Sequence, residues 1–142
     1  MKERNRSADS MDDSIVELIR PARRARRNAV TPLTHHAVGA ALEDDDGKVW
    51  IGCDIESRYP GHGITAERVA LYSALASGAR SFRRIAVVGT VGDGLPRPCG
   101  ASLEALIEHA PNLQIILFNP GISEWASYQI RELLPSPDNI SI

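Results

Sequence analysis

Residues 64–89 read ITAERVALYSALASGARSFRRIAVVG and carry the clearest structural signals in the chain. Apolar side chains recur at helical spacing in the first half, which predicts a helix over 64–77 that ends at Gly78. The run RIAVVG at 84–89 is continuously apolar, as in a strand covered on both faces of a sheet. A helix followed closely by such a strand indicates an α/β fold.

The flanking sequence continues this pattern of helices and strands. In chain order, the predicted elements are a helix from Ser14, strands at 37–42 and 48–53, a helix at 101–109, a strand at 113–118 and a short element at 130–134. Residues 44–47 (DDDG) are typical of a hairpin turn between the first two strands. Buried strands that alternate with helices predict an α/β layered sheet.

The expected organisation is one domain with two short tails. We place a disordered tail at 1–12, the domain at 13–136 and a C-terminal tail at 137–142. Ser14 and Glu17 form a capping-box pattern at the start of the first helix. Pro21 is expected to kink or split that helix.

Composition favours a small globular protein of 142 residues, with 43% hydrophobic and 24% charged residues. No apolar run approaches the roughly 20 residues that span a bilayer. The first residues show no signal peptide, so we expect a cytoplasmic location. In that reducing compartment the two cysteines, Cys53 and Cys99, are expected to be free thiols.

The net charge of −2 is unevenly distributed along the chain. Five arginines between Arg20 and Arg27 form a basic cluster, whereas the sequence beyond residue 30 is acidic. We interpret the cluster as a solvated helix face, because no aromatic residues that could stack on bases are interleaved with it. A nucleic-acid partner is therefore not expected.

Two segments place reactive groups at predicted helix N-termini: Thr65-Ala66-Glu67, and Cys99 to Ser102 after Pro98. A helix N-terminus favours a thiolate. If the two helices pack side by side, Glu67 and Cys99 can face one pocket as a catalytic pair. The alternatives are a glutamate that complements the helix dipole and a cysteine that fills a small core position.

These two segments resemble the cytidine deaminase family, which includes the blasticidin-type nucleoside deaminases. The zinc-deaminase signature is H-x-E followed by P-C-x-x-C, with Cys allowed in place of His. Residues 38–42, 52–56 and 131–135 resemble further family motifs, so that the similarity covers roughly 14–136. The resemblance implies a three-layer α/β/α fold with a mixed sheet of about five strands, a homo-oligomer (dimer or tetramer) and a nucleoside ligand.

The resemblance also implies roles for individual residues. By position, Glu67 would shuttle protons, while Asp54 and Glu56 would contact ribose hydroxyls. The backbone of Ala66 would lie near the pyrimidine edge. His36 stands where the family usually has a phenylalanine beside the base, and Asp54 stands where it usually has asparagine.

The sequence departs from the family at the zinc ligands. Thr65 and Ser102 stand at the first and third ligand positions, and of the three family ligands Cys99 is retained. Neutral hydroxyls are poor zinc ligands. Zinc therefore remains a candidate cofactor with an incomplete ligand set, for which His62 is a candidate substitute. Thr65 and Ser102 are instead expected to contact the substrate.

The sequence is compatible with two main functions. The first is hydrolysis of a C–N bond in the cyclic amidine of a pyrimidine nucleoside or analogue, using Glu67 and Cys99 with an altered or absent zinc site. The alternative is a zinc-free, inactive nucleoside-binding module, or a pseudoenzyme partner of an active deaminase. Nucleic-acid editing, a third possibility on this fold, is disfavoured by the acidic body of the chain.

Overall fold

The structure is a computed structural model that describes residues 4–134. The predicted C-terminal tail at 137–142 lies outside these residues. The helices are α1 (Asp13–Arg26), α2 (Ala66–Ala76), α3 (Gly100–His109) and α4 (Ile130–Leu133). The strands are β1 (Arg6–Ser7), β2 (Val38–Asp44), β3 (Val49–Cys53), β4 (Phe82–Gly89), β5 (Gln114–Asn119) and β6 (Glu124–Gln129).

The strands form one mixed sheet in the order β1-β6-β5-β4-β2-β3. Strands β4 and β5 are parallel, and the other neighbouring pairs are antiparallel. This confirms the predicted α/β fold with a mixed sheet. The described residues form six strands, close to the number of about five that the resemblance implied. Four of them were predicted from the sequence, which did not reveal the two-residue β1 or the six-residue β6.

Helices cover both faces of the sheet. The sequence of β4 is continuously apolar because successive side chains point to opposite faces of the sheet, and both faces are covered. Ile85 and Val87 belong to the core that packs under α2 and α3, whereas Ala86 and Val88 belong to the core under α1. The result is the three-layer arrangement that the sequence resemblance implied.

Helix α1 begins differently from the prediction. Its N-cap is Asp12, whose side chain accepts a hydrogen bond of 2.9 Å from the Ile15 N–H. The capping box predicted at Ser14 and Glu17 is therefore wrong: Asp12 offers an equally good cap two residues earlier, and the Ser14 hydroxyl accepts a hydrogen bond from Arg84. Pro21 lies inside α1 without splitting it.

Residues 4–11, expected to be disordered, are folded in the structure. Strand β1 pairs with β6, and a short 3-10 helix follows at Ala8–Ser10. The indole N–H of Trp125 donates to the Ser7 carbonyl at 3.1 Å and to Ser10 Oγ at 2.9 Å. Backbone pairing and one buried tryptophan hold a segment whose own sequence is polar.

A close contact between β3 and α2 places the start of α2 beside the end of β3. A Cβ built at Gly52 would lie 2.5 Å from the Ala70 nitrogen and closer still to the Ala66 carbonyl oxygen. The absence of a side chain at Gly52 therefore lets the first turn of α2 lie directly on the strand. Asp54, just after β3, is thereby brought to the N-terminus of α2.

None of the helices formed by residues 4–134 is both long and apolar enough to span a bilayer.

Candidate active site

The N-termini of α2 and α3 lie side by side and are joined through their side chains. Thr65 is the N-cap of α2 and Cys99 is the N-cap of α3. Thr65 Oγ1 lies 2.7 Å from Ser102 Oγ, which in turn lies 3.4 Å from Cys99 Sγ. A chain of hydrogen bonds therefore connects the two helix starts.

Asp54 takes over the capping role at α2. The Thr65 side chain makes no capping hydrogen bond. Asp54 Oδ1 instead accepts the Ala66 N–H at 2.8 Å, which satisfies one of the free amides at the helix start. The Thr65 hydroxyl, which also accepts from Arg68 Nε at 3.3 Å, is thus available to Ser102.

Glu67 and Cys99 line the same cavity, which has a volume of about 390 Å³. Asp54 and Thr65 contribute to its wall, together with Val38 and parts of the loop after β4. A second cavity of about 320 Å³ shares Asp54 and Thr65 and adds Glu56. Volumes in this range suit small-molecule ligands.

Glu67 is buried in this wall, with 3% of its surface exposed. Burial raises the pKa of its carboxyl group above the ordinary value, and the negative charge of Asp54 raises it further. Contacts with the Thr65 and Ser102 hydroxyls act in the opposite direction but do not outweigh burial. Glu67 therefore keeps its proton to a higher pH than an exposed glutamate does.

The two free cysteines differ in acidity. Partial burial acts to raise the pKa of Cys99, but the Ser102 hydroxyl and amide and the positive charge of Arg68 together lower it below the usual value. Burial, followed by the charge of Asp54, raises the pKa of Cys53. Cys99 is thus the thiol better suited to act as a nucleophile near neutral pH.

Glu56 holds the loop that precedes β2. Its carboxylate accepts hydrogen bonds from the Leu33 N–H at 2.9 Å, the Thr34 N–H at 3.2 Å and the Thr34 hydroxyl at 2.6 Å. The Thr34 hydroxyl is the main cause of a lowered pKa at Glu56, whereas burial raises the pKa of Asp54. Glu56 is therefore an ionised acceptor in the second cavity.

Four of the residues proposed from the sequence line neither of the two cavities. His36 is exposed. Ala66 is fully buried, and its N–H is bound to Asp54. Ser102 is also fully buried, behind the cavity wall rather than in it. His62 is exposed and contacts the Tyr59 ring, with centroids 5.5 Å apart.

The residues at the family's zinc-ligand positions do not fit a zinc site. They are one thiol and two neutral hydroxyls, and the hydroxyls are bonded to each other. Within residues 4–134, no group of three or more His, Cys, Asp or Glu side chains is arranged to hold a metal ion. The substitute suggested at His62 is accordingly not part of such a group.

Sequence reasoning missed two arginines. Arg68 donates to Thr65 from the first turn of α2, and Arg97 lines the cavity of Glu67 and Cys99. Arg97 also donates to the Tyr128 hydroxyl at 3.4 Å. A signal was present, since each arginine lies within three residues of Thr65 or Cys99 in the sequence.

Comparisons with known proteins agree with this fold. A family model described as cytidine deaminase-like matches residues 8–120. A cytidine deaminase from Sporosarcina psychrophila is 37% identical over 94 residues, which are 66% of this chain and 68% of that protein. One from Halalkalibacterium halodurans is 36% identical over 118 residues, which are 83% and 89% of the two chains.

The crystal structure of a cytidine deaminase from Burkholderia pseudomallei is 40% identical, with a TM-score of 0.80. The match covers 89% of this chain and 98% of that one. The fold described above is a three-layer α/β/α domain in which the N-termini of α2 and α3 are paired. The chain belongs to the cytidine deaminase-like family.

Proposed function

We propose that this protein binds a pyrimidine nucleoside, or an analogue, and hydrolyses the C4–N bond of its cyclic amidine without zinc. The observation that supports this most directly is that buried Glu67 and the acidic thiol of Cys99 line one cavity of about 390 Å³. Membership of the family adds the substrate class, because the relatives compared above are cytidine deaminases.

Glu67 and Cys99 supply complementary groups for the first half of the reaction. The Cys99 thiolate attacks C4, and the C–N bond to the amino group breaks. The amino group takes the Glu67 proton and leaves as ammonia. The products of this half are a C4–S thioether and an ionised Glu67, so the single negative charge moves from sulfur to carboxylate.

Water completes the cycle. The Glu67 carboxylate removes one proton from a water molecule, and the oxygen of that water bonds to C4. The C4–S bond breaks, and Cys99 leaves as a thiolate. The product carries oxygen at C4, Glu67 is protonated again, and both residues are back in their starting states.

The test is ammonia release from cytidine and deoxycytidine by the purified chain. We expect Cys99→Ala and Glu67→Gln each to reduce the rate by at least about a hundredfold, the scale of acid–base and nucleophilic contributions. Cys53→Ser is the matched control and is expected to retain activity, because Cys53 lines neither cavity. Unchanged turnover in either site variant would rule out this mechanism.

The second candidate is a zinc-free module that binds a nucleoside without hydrolysing it, or a partner of an active deaminase. The observation that favours it is the incomplete set of metal-ligating side chains in residues 4–134. A nucleoside at a hundred times its Kd would stabilise the fold by about 2.7 kcal/mol. A thermal shift with cytidine but no ammonia release supports this candidate over the enzyme.

We also infer a homo-oligomer, either a dimer or a tetramer, from family membership, and, from the sequence, a cytoplasmic location and no nucleic-acid partner. Sedimentation analysis measures the oligomeric state. Binding of RNA that weakens steeply with salt would contradict the last expectation.

A further inference from the structure

The hydroxyl pair of Thr65 and Ser102 lies where the relatives' signature places two metal ligands. Ser102 is fully buried, and its oxygen lies 2.7 Å from Thr65 Oγ1. That separation is the usual one for an O–H···O hydrogen bond. Two ligands of one tetrahedral zinc ion, each 2.0–2.3 Å from the metal, would be about 3.3–3.8 Å apart. The hydroxyls are thus closer than shared metal ligands would be.

The polar groups around this position already have hydrogen-bond partners and do not require a cation to pair with them. Among the described residues, every buried side-chain nitrogen or oxygen has a hydrogen-bond partner, so no orphaned donor or acceptor faces this position. Arg68 donates from Nε to Thr65 Oγ1 at 3.3 Å. The positive charge of its guanidinium also acts on Cys99, where it helps to lower the pKa of the thiol.

The hydroxyl pair also joins two separate elements. Thr65 is the N-cap of α2, and Ser102 lies in the first turn of α3. Because Asp54 satisfies the Ala66 N–H, the Thr65 hydroxyl makes no capping hydrogen bond and is available to Ser102. A metal held by residues at these positions would cross-link the same two helix starts.

We propose that the Thr65–Ser102 hydrogen bond replaces the metal as the link between the N-termini of α2 and α3, so that the site keeps its shape metal-free. It follows that Thr65→Cys with Ser102→Cys, together with Cys99, would create a three-thiolate zinc site. This inference concerns the architecture of the site and does not depend on whether the chain hydrolyses a nucleoside.

The first experiment measures metal content and thermal stability together. Wild type and the double cysteine variant are produced with excess zinc, dialysed, and analysed for zinc per chain and for Tm with and without EDTA. We expect wild type to hold almost no zinc and to melt at the same Tm in EDTA. The double variant is expected to hold about one zinc per chain and to lose stability in EDTA.

The second experiment tests the hydrogen bond without any metal. Thr65→Val removes the hydroxyl and keeps the shape of the side chain, whereas Thr65→Ser keeps the hydroxyl and is the matched control. We expect a Tm several degrees lower for Thr65→Val and for Ser102→Ala, and a Tm near wild type for Thr65→Ser. These measurements remain informative if the double cysteine variant does not fold.

Three results would overturn the proposal. They are stoichiometric zinc in wild type with a Tm that falls in EDTA, a folded double variant that takes up no zinc, or Thr65→Val and Ser102→Ala melting like wild type. None of these readouts uses a substrate. Failure of the proposed hydrolysis would appear separately, as the absence of ammonia release; stoichiometric zinc in wild type would contradict the zinc-free mechanism as well.

Discussion

At the scale of single residues, two glutamates near the cavities have opposite acid–base properties. Burial raises the pKa of Glu67, whereas hydrogen bonds, chiefly from the Thr34 hydroxyl, lower that of Glu56. At Glu67, hydrogen bonds only partly offset the effect of burial on the pKa. At Glu56, three hydrogen-bond donors stabilise the ionised carboxylate. Glu67 is suited to give a proton, and Glu56 is suited to accept hydrogen bonds.

The raised pKa of Glu67 predicts how stability changes with pH. The folded state binds the proton more tightly than the unfolded state, so stability is lost as pH rises from the ordinary value of 4.5 towards the folded-state pKa. Glu67→Gln cannot ionise and avoids this loss. We expect the Tm difference, variant minus wild type, to increase over that pH range and then level off. A difference that does not change with pH would contradict this account.

The acidities of the two thiols predict selective alkylation. Cys99 has a lowered pKa and Cys53 a raised one. Because the thiolate is the reactive form, we expect iodoacetamide at pH 7 to modify Cys99 at least about tenfold faster than Cys53. Peptide mass spectrometry of the same sample measures both rates, so each thiol is the control for the other. Equal rates at both sites would disprove the difference.

The sequence was sufficient to place Glu67 and Cys99 at two helix starts, because N-terminal signals are local. The sequence did not reveal that Asp54 caps α2, because that hydrogen bond joins residues 12 positions apart. The Thr65–Ser102 contact spans 37 positions and depends on how α2 and α3 pack. Such pairings are set by tertiary structure and leave no pattern in either segment.

At the scale of elements, the predicted helices and buried strands match the structure closely, whereas β6 was missed. Strand β6 reads EWASYQ, in which polar residues at 124, 127 and 129 break both alternation and a continuous apolar run. Its position depends on pairing with β5 on one side and β1 on the other. Strands specified mainly by their neighbours are poorly visible in a single sequence.

Two glycines in the β2–β3 hairpin provide a test of how packing positions the site. A Cβ at Gly39 would lie 2.5 Å from the Arg26 nitrogen of α1, and one at Gly52 would lie 2.5 Å from the Ala70 nitrogen of α2. We expect Gly39→Ala and Gly52→Ala each to destabilise the fold by about 1–3 kcal/mol through overpacking. Denaturant unfolding measures both.

The two variants are expected to differ at the active site. Gly52→Ala displaces the helix that carries Glu67, whereas Gly39→Ala displaces α1 on the opposite face of the sheet. Only Gly52→Ala is therefore expected to change the alkylation rate of Cys99. Equal effects of the two substitutions on that rate would show that the α2–β3 contact does not position the site.

At the scale of the whole molecule, residues 4–11 form a strap that completes the sheet at β6. Composition predicted disorder here, because the segment is polar and has no apolar periodicity. The structure stabilises it through backbone pairing, through Ala8 and Met11 against the core, and through an Arg4–Glu132 ion pair. Arg6 also lies over the Trp125 ring, 5.5 Å from its centroid.

Removing the strap is expected to weaken the whole fold rather than release a passive tail. A chain that begins at Asp12 exposes the edge of β6 and leaves the Trp125 N–H without Ser7 and Ser10. We expect a loss of about 1–3 kcal/mol from exposed apolar surface, and concentration-dependent association through the open strand edge. Calorimetry and light scattering measure the two effects. Arg4→Ala, which removes the ion pair but keeps β1, is the control and is expected to show neither. A truncated chain that melts and scatters light like the full chain would mean that β6 needs no cover.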